Sequence, residues 1–282
     1  MAEREFVDMP NDFNRIRRFK IVDNRHESAR IFTLTLEPEV GAYGNTPLQF
    51  KPGQFVFLHL LNEDGTTWKA PFSIANAPDA AGGRLELTIK IYKDFTARAS
   101  KLAPGDVVGV QGPFGMFVPD AEASSHVFFA SGIAITPFAS IIRDACRPRP
   151  GSVIPVKTGI QSGVNSSGDP GIDSRVRGND RKITLFYSVR EIENFVFREE
   201  FERLAKEWPS FKPVFILTGE APKDWKGERG RFDAAMLDRH AADLEGAHFM
   251  ACGLPAFVET VKKVLENKGI DLKTRFKEEM FG

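Results

Sequence analysis

The stretch HVFFASGIAITPFASIIRDA, residues 126–145, decides how this chain is read. Val127, Phe128 and Phe129 form an unbroken apolar run, which suits a strand covered on both faces. Ser131, Gly132, Ile133 and Ala134 follow as a tight turn whose small residues allow close backbone approach. Thr136 offers a capping hydroxyl, and Pro137 suits the first position of a helix. Strand, turn and helix start in immediate succession predict an α/β unit. Its free helical N–H groups can hold an anion such as a pyrophosphate without a charged side chain. The same pattern also serves plain packing, so its meaning depends on the rest of the chain.

Downstream the pattern repeats. Apolar strands are expected over 183–188, 214–218 and 247–252, with helices near 137–146, 197–208, 233–241 and 255–267, which predicts a parallel sheet flanked by helices over residues 123–282. Upstream the period is two. Leu85, Leu87, Ile89 and Ile91 alternate with Glu86, Thr88, Lys90 and Tyr92, and Phe32, Leu34 and Leu36 alternate with Thr33 and Thr35. Six such segments, a turn at Lys51-Pro52-Gly53-Gln54 and one short helix over 94–102 predict an antiparallel β-barrel domain over residues 1–122. The fold class is therefore two-domain, an antiparallel barrel followed by an α/β nucleotide-binding domain.

Residues 147–180, RPRPGSVIPVKTGIQSGVNSSGDPGIDSRVRGND, fit neither pattern. They are rich in Pro, Gly, Ser and Asn and stand where a helix should return within a few residues to a strand, so they read as an insertion. VIPVKTGIQ followed by DSRVRGND resembles a palindromic repeat translated within bacterial genes; a functional lid is the alternative.

With 282 residues, 42% of them hydrophobic and 25 of them Phe, the chain can bury two cores. Its formal net charge of zero implies neither a nucleic-acid nor an anionic-membrane partner. Cys146 and Cys252 are the only cysteines, which excludes a disulfide framework and, within the chain, a four-cysteine iron–sulfur or zinc centre. The histidines, at 26, 59, 126, 240 and 248, lack ligand spacing, and no metal site is assigned. Arg15, Arg17, Arg18 and Lys20 read as a solvated basic face rather than a docking site. No apolar run approaches the roughly 20 residues that span a bilayer, and the N-terminus carries no export signal, so a cytoplasmic protein is expected.

Phe50-Lys51-Pro52-Gly53-Gln54-Phe55, Pro71-Phe72-Ser73-Ile74-Ala75-Asn76 and Gly112-Pro113-Phe114-Gly115 resemble, in order, three landmarks of the flavin domain of the ferredoxin-NADP reductase superfamily. Gly132-Ile133-Ala134-Ile135-Thr136-Pro137, Cys252-Gly253-Leu254-Pro255 and Glu279-Met280-Phe281 resemble those of its pyridine-nucleotide domain, so the resemblance spans residues 15–282. It implies FAD, with NADH or NADPH as hydride donor. It places Phe72 against the flavin ring, the Ser73 hydroxyl on the flavin nitrogen that accepts hydride, and Ile74 beside them. Thr96 resembles a second hydroxyl residue that holds the flavin pyrophosphate. Gly132, Ile133, Thr136, Pro137 and Gly253 would receive the nicotinamide nucleotide, with Cys252 beside the reacting carbon. Glu279 and Phe281 complete the site, Phe281 as the aromatic cover of the flavin.

Two departures stand out. Ala70 occupies the position where the family carries Arg or His, with Lys69 one residue earlier on what should be the opposite strand face. Ser131 and Ala134 replace common glycines in the nucleotide loop. The resemblance implies a flavoprotein reductase that passes electrons to an external acceptor, a separate redox protein or a small molecule. A non-catalytic nucleotide-sensing or assembly subunit with a degenerate flavin domain is the alternative, and an FMN enzyme feeding an oxygenase is a third.

Overall fold

Strand β1 (Ile16–Ser28) runs the length of the first sheet and pairs on both sides, with β2 (Ile31–Pro38) and with β6 (Val107–Phe114). With β3 (Phe55–Leu61), β4 (Thr67–Ser73) and β5 (Leu85–Lys90), these form a six-stranded antiparallel sheet in the order β4-β3-β6-β1-β2-β5. The structure, a computed structural model, describes residues 15–39, 48–78, 83–147, 181–241 and 243–281. The expected insertion lies outside the described residues except for Arg147.

Alternation places the core of this sheet as the sequence implies. Leu85, Leu87 and Ile89 of β5 and Leu34 and Leu36 of β2 are buried together with Val56, Leu58, Val108 and Val110. Thr88, expected on the outer face, is buried as well, because its hydroxyl meets that of Thr33 across the β2–β5 pair at 2.9 Å. The sheet curls until its two edges approach. The chain leaving β4 meets β5 where the Ala75 N–H donates to the Glu86 carbonyl at 2.8 Å. Helix α1 (Asp94–Ala99), shorter than expected, presents Phe95 and Ala99 to this core.

The second sheet is parallel throughout. Strands β7 (Ser125–Ser131), β8 (Lys182–Val189), β9 (Phe211–Leu217), β10 (Glu228–Arg229), β11 (Ala247–Gly253) and β12 (Phe276–Met280) lie in the order β10-β9-β8-β7-β11-β12. Helices α2 (Thr136–Ala145), α3 (Arg198–Glu207), α4 (Ala234–His240), α5 (Pro255–Asn267) and the short α6 (Leu272–Arg275) connect them. Strand β12 was not expected. Its sequence, FKEEM, lacks an apolar run because it is an edge strand, which needs to satisfy a neighbour on one side only.

The first two turns of α2, Thr136 to Ile142, are buried all round. A helix with no polar face has no water-facing side, and this one is wedged between the parallel sheet and the segment of the antiparallel domain after β4, onto which Ser140 and Arg143 bond. The domains also touch at the turn before β3, where a β-carbon on Gly53 would lie 3.3 Å from Ile141 Cδ1 of α2. Gly53 has φ +95°, and a β-carbon there would lie 2.0 Å from the Phe117 carbonyl oxygen, so only glycine fits.

Candidate active site

In the parallel sheet the chain steps outward from β7 to β8 and β9, then returns to β11 on the other side of β7. The order reverses between β7 and β11, and such a switch point opens a crevice at the carboxyl ends of its two strands. Here those ends are Ser131-Gly132 and Cys252-Gly253. The strands approach closely, for a β-carbon at Gly253 would lie 2.2 Å from Ser131 Oγ. Gly132 has φ +58°, and a β-carbon there would meet nothing within 4 Å, so the backbone turns here with open space before it.

Gly132–Ile135 is not a free loop but a 3-10 turn that runs directly into α2. The first helical N–H groups therefore belong to this turn. The expected cap at Thr136 is corrected accordingly. Its hydroxyl donates backward to the Ile133 carbonyl at 3.1 Å, and Pro137 lies buried inside the helix start, its missing N–H costing nothing there. Ile133 is half-buried against the domain core.

On the antiparallel domain, Ser73 ends β4. It is 5% exposed, and its Oγ has no hydrogen-bond partner. Phe72 stacks on Phe95 of α1 with centroids 5.8 Å apart, and Phe95 also meets Trp68 edge-on at 5.4 Å. Trp68, Ala70 and Phe72 share one face of β4, so Phe95 bridges the residues that flank Ala70. The β3–β4 register is regular from Thr67 to Ser73, with no bulge. Lys69 accordingly stays on the other face, its ammonium 4.8 Å from the Phe57 ring centroid, and does not replace the missing basic residue. Ile74 is fully buried in the core of the antiparallel domain and its N–H donates to the Gln54 carbonyl, so its side chain is packing. Thr96 stands at the third position of α1. Its hydroxyl donates to the Lys93 carbonyl at 2.8 Å and accepts from the Tyr92 and Lys93 N–H groups, so it is already saturated as a cap.

Three residues close the crevice from the C-terminal side. Glu279 of β12 lies beside Cys252 of β11 in register. Cys252 is fully buried, and burial, assisted by the Glu279 charge, pushes its thiol well above the ordinary range. At neutral pH the thiol is therefore protonated and a poor nucleophile. Burial also raises the Glu279 carboxyl, whose Oε2 has no partner. Phe281 is tied down by its own N–H, which donates to the Gly253 carbonyl at 3.1 Å, and its half-buried ring packs at the edge of the core containing Cys252.

An oxidoreductase FAD-binding domain model matches residues 20–118, and an oxidoreductase NAD-binding domain model matches residues 128–263. The chain belongs to the ferredoxin-NADP reductase superfamily. It is 27% identical over 224 residues to the phenol hydroxylase P5 protein of Acinetobacter pittii, covering 78% of this chain and 54% of the relative. It is 29% identical over 196 residues to NADH-cytochrome b5 reductase 1 of Aspergillus terreus, covering 68% and 58%. The chain thus spans little more than half the length of these curated relatives. The flavohem-like FAD/NAD binding domain of nitric oxide dioxygenase from Vibrio cholerae superposes with a TM-score of 0.73 at 20% identity, covering 94% of this chain and 98% of that one.

The residues present fit the family's two cofactors. Ser73 Oγ is a buried hydroxyl that lacks a partner, and a flavin ring nitrogen supplies one. The open space before Gly132 at the switch point suits a dinucleotide phosphate on helical N–H groups. The sequence reading missed Arg143 and Ser140, which bind the two domains together; only the apolar character of the helix around them hinted that they are buried.

Proposed function

We propose that this chain is an NAD(P)H-dependent flavoprotein reductase that accepts a hydride from NADH or NADPH onto FAD and passes the electrons to an external acceptor. The observation that carries the reading is the partnerless, buried Ser73 hydroxyl on a domain of the FAD-binding family. FAD, when bound, supplies a ring that takes two electrons together and releases them singly. The chain's own groups do the rest. Ser73 donates its proton as a hydrogen bond and fixes ring orientation. Phe72 and Phe281 supply apolar cover that excludes water. Gly132 keeps the space before it free of a side chain and Gly253 makes room for Ser131, which lets the nicotinamide approach. Glu279, its carboxyl raised above the ordinary range by burial, stands beside Cys252 at the end of β12 and lines this side of the crevice.

The acceptor is proposed as a separate redox protein or an oxygenase component; a relative from Pseudomonas, 28% identical over 219 residues, is named the reductase component of a phenol 2-monooxygenase. Among the described residues no helix is long and apolar enough to cross a membrane. The nicotinamide supply and the free cysteines favour the cytoplasm as the working compartment.

The test is anaerobic mixing of the FAD-reconstituted protein with NADH and, separately, NADPH, followed at the flavin absorbance, then addition of ferricyanide. Bleaching and reoxidation are expected, and the faster nucleotide identifies the donor. Protein that stays colourless after reconstitution overturns the reading in favour of the non-catalytic subunit, and protein that as isolated releases FMN in place of FAD favours the third alternative.

A further inference from the structure

Arg143 lies in the third turn of α2, between the two domains, with its side chain 18% exposed. Its guanidinium uses nearly every donor. Nε and Nη2 grip Glu200 of α3, each at 2.7 Å, within the nucleotide domain. Nη1 crosses to the flavin domain, donating to the Ala75 carbonyl and to Glu86 of β5, both at 2.9 Å. The Phe197 ring stacks on the guanidinium at 4.6 Å. One turn earlier on the same face, the fully buried Ser140 donates to the Asn76 carbonyl at 2.7 Å. Asn76 in turn clamps β4 to β5, its amide donating to the Arg84 and Ala77 carbonyls and accepting from the Glu86 N–H.

The joint stands at a telling place. Ala75 and Asn76 follow Ser73 by two and three residues, and α2 begins at the turn that opens on the nucleotide crevice. One rigid helix therefore carries the nucleotide loop at its start and the back of the flavin-binding strand in its third turn. A buried ion pair adds little net stability, since desolvation consumes most of the attraction; its firm contribution is to geometry. Desolvation works against the Arg143 charge here, yet hydrogen bonds and attraction from Glu200, then Glu86, outweigh it and raise its pKa. The fork stays charged and held in one orientation.

We propose that Arg143 is a positioning residue that sets the spacing between Ser73 and the β7–α2 nucleotide loop, so that hydride donor and acceptor meet at reacting distance. This rests on the reductase reading above. Neither Arg143 nor Glu86 touches a cofactor in this account. Their removal changes where the domains sit, not what they bind.

The experiment combines a distance and a rate. Spin labels at Glu63→Cys and Lys263→Cys, both exposed in the native chain, in a Cys146→Ser background, report the spacing of the domains in flavin-free protein by pulsed electron resonance. Wild type gives one narrow distance. Arg143→Gln is expected to broaden or shift it, to leave FAD content and the nucleotide Kd within about threefold, and to slow stopped-flow flavin reduction about 100-fold, the cost of a misplacement of about 1 Å. Glu200→Gln, which weakens only the arm inside the nucleotide domain, should keep the narrow distance and a rate within about threefold. Should Arg143→Gln yield no soluble protein, Glu86→Gln, which leaves the Arg143–Glu200 pair intact, is expected to slow reduction about tenfold with the same broadening. Unchanged distance and rate in these variants, or an equal loss in Glu200→Gln, overturns the proposal. A wild type that neither nucleotide bleaches overturns the reductase reading instead, and the label distances still decide whether Arg143 holds the domains in place.

Discussion

Replacing Ser73 by Ala should move the stability of the flavin-free protein and its affinity for FAD in opposite directions. In the structure the Ser73 hydroxyl is buried and unbonded, so the folded apoprotein bears its desolvation without return. Such an unsatisfied group costs about 1–3 kcal/mol. Removing one oxygen leaves a gap smaller than a methyl group, which offsets part of the gain, and a net stabilisation of about 1 kcal/mol is expected. Binding of FAD loses one hydrogen bond, about 0.5–1.5 kcal/mol, or roughly two- to tenfold in Kd. Urea unfolding of the apoprotein, followed by tryptophan fluorescence, measures the first quantity, and quenching of flavin fluorescence on titration measures the second. A Ser73→Ala apoprotein less stable than wild type by more than about 0.5 kcal/mol shows that the hydroxyl already has a partner in solution. Unchanged FAD affinity shows that the hydroxyl does not face the flavin. Either result refutes the reasoning.

Burial depresses the His126 pKa to about 4, with Arg181 and His248 adding to the fall. The unfolded chain takes up this proton first, so stability is full above pH 6.5 and declines by about 3 kcal/mol toward pH 4; His126→Gln should flatten that slope in Tm-versus-pH scans. Glu279 has the opposite sign. Its folded pKa is raised, so ionisation costs stability as pH rises above the ordinary carboxyl range, and Glu279→Gln should raise the apoprotein Tm at pH 8 but not at pH 4. Gly53→Ala places a β-carbon 2.0 Å from the Phe117 carbonyl at φ +95° and should cost more than about 3 kcal/mol, read as loss of soluble protein or a large drop in urea midpoint. Ala70→Arg must displace Phe95 from between Trp68 and Phe72, so the apoprotein should lose about 1–3 kcal/mol even where the new guanidinium tightens FAD binding in the titration.

Local patterns carried most of the architecture. Strict alternation in β5 and unbroken apolar runs in β7 and β11 mark one sheet solvated on a face and another covered on both, because side-chain period reports directly which faces water reaches. The family resemblance put Cys252 and Gly253 at the end of a parallel strand, and the small residues of 131–134 marked the turn after β7. Lys69 was also legible, since alternation alone puts it opposite Ala70. What only the tertiary structure decided depends on partners distant in the chain. The Thr96 hydroxyl looked available for phosphate and that of Thr136 for capping its helix, but backbone groups within their own turns occupy both. Strand β12 has no apolar signature because it is an edge, and it matters because it brings Glu279 beside Cys252. That Ser73 is left without a partner, and that Arg143 reaches Ala75 and Glu86, follows from how two domains close on each other. No local pattern encodes which buried polar group finds a partner, because hydrogen bonding is settled over a few ångströms in space between residues that lie tens of positions apart in sequence.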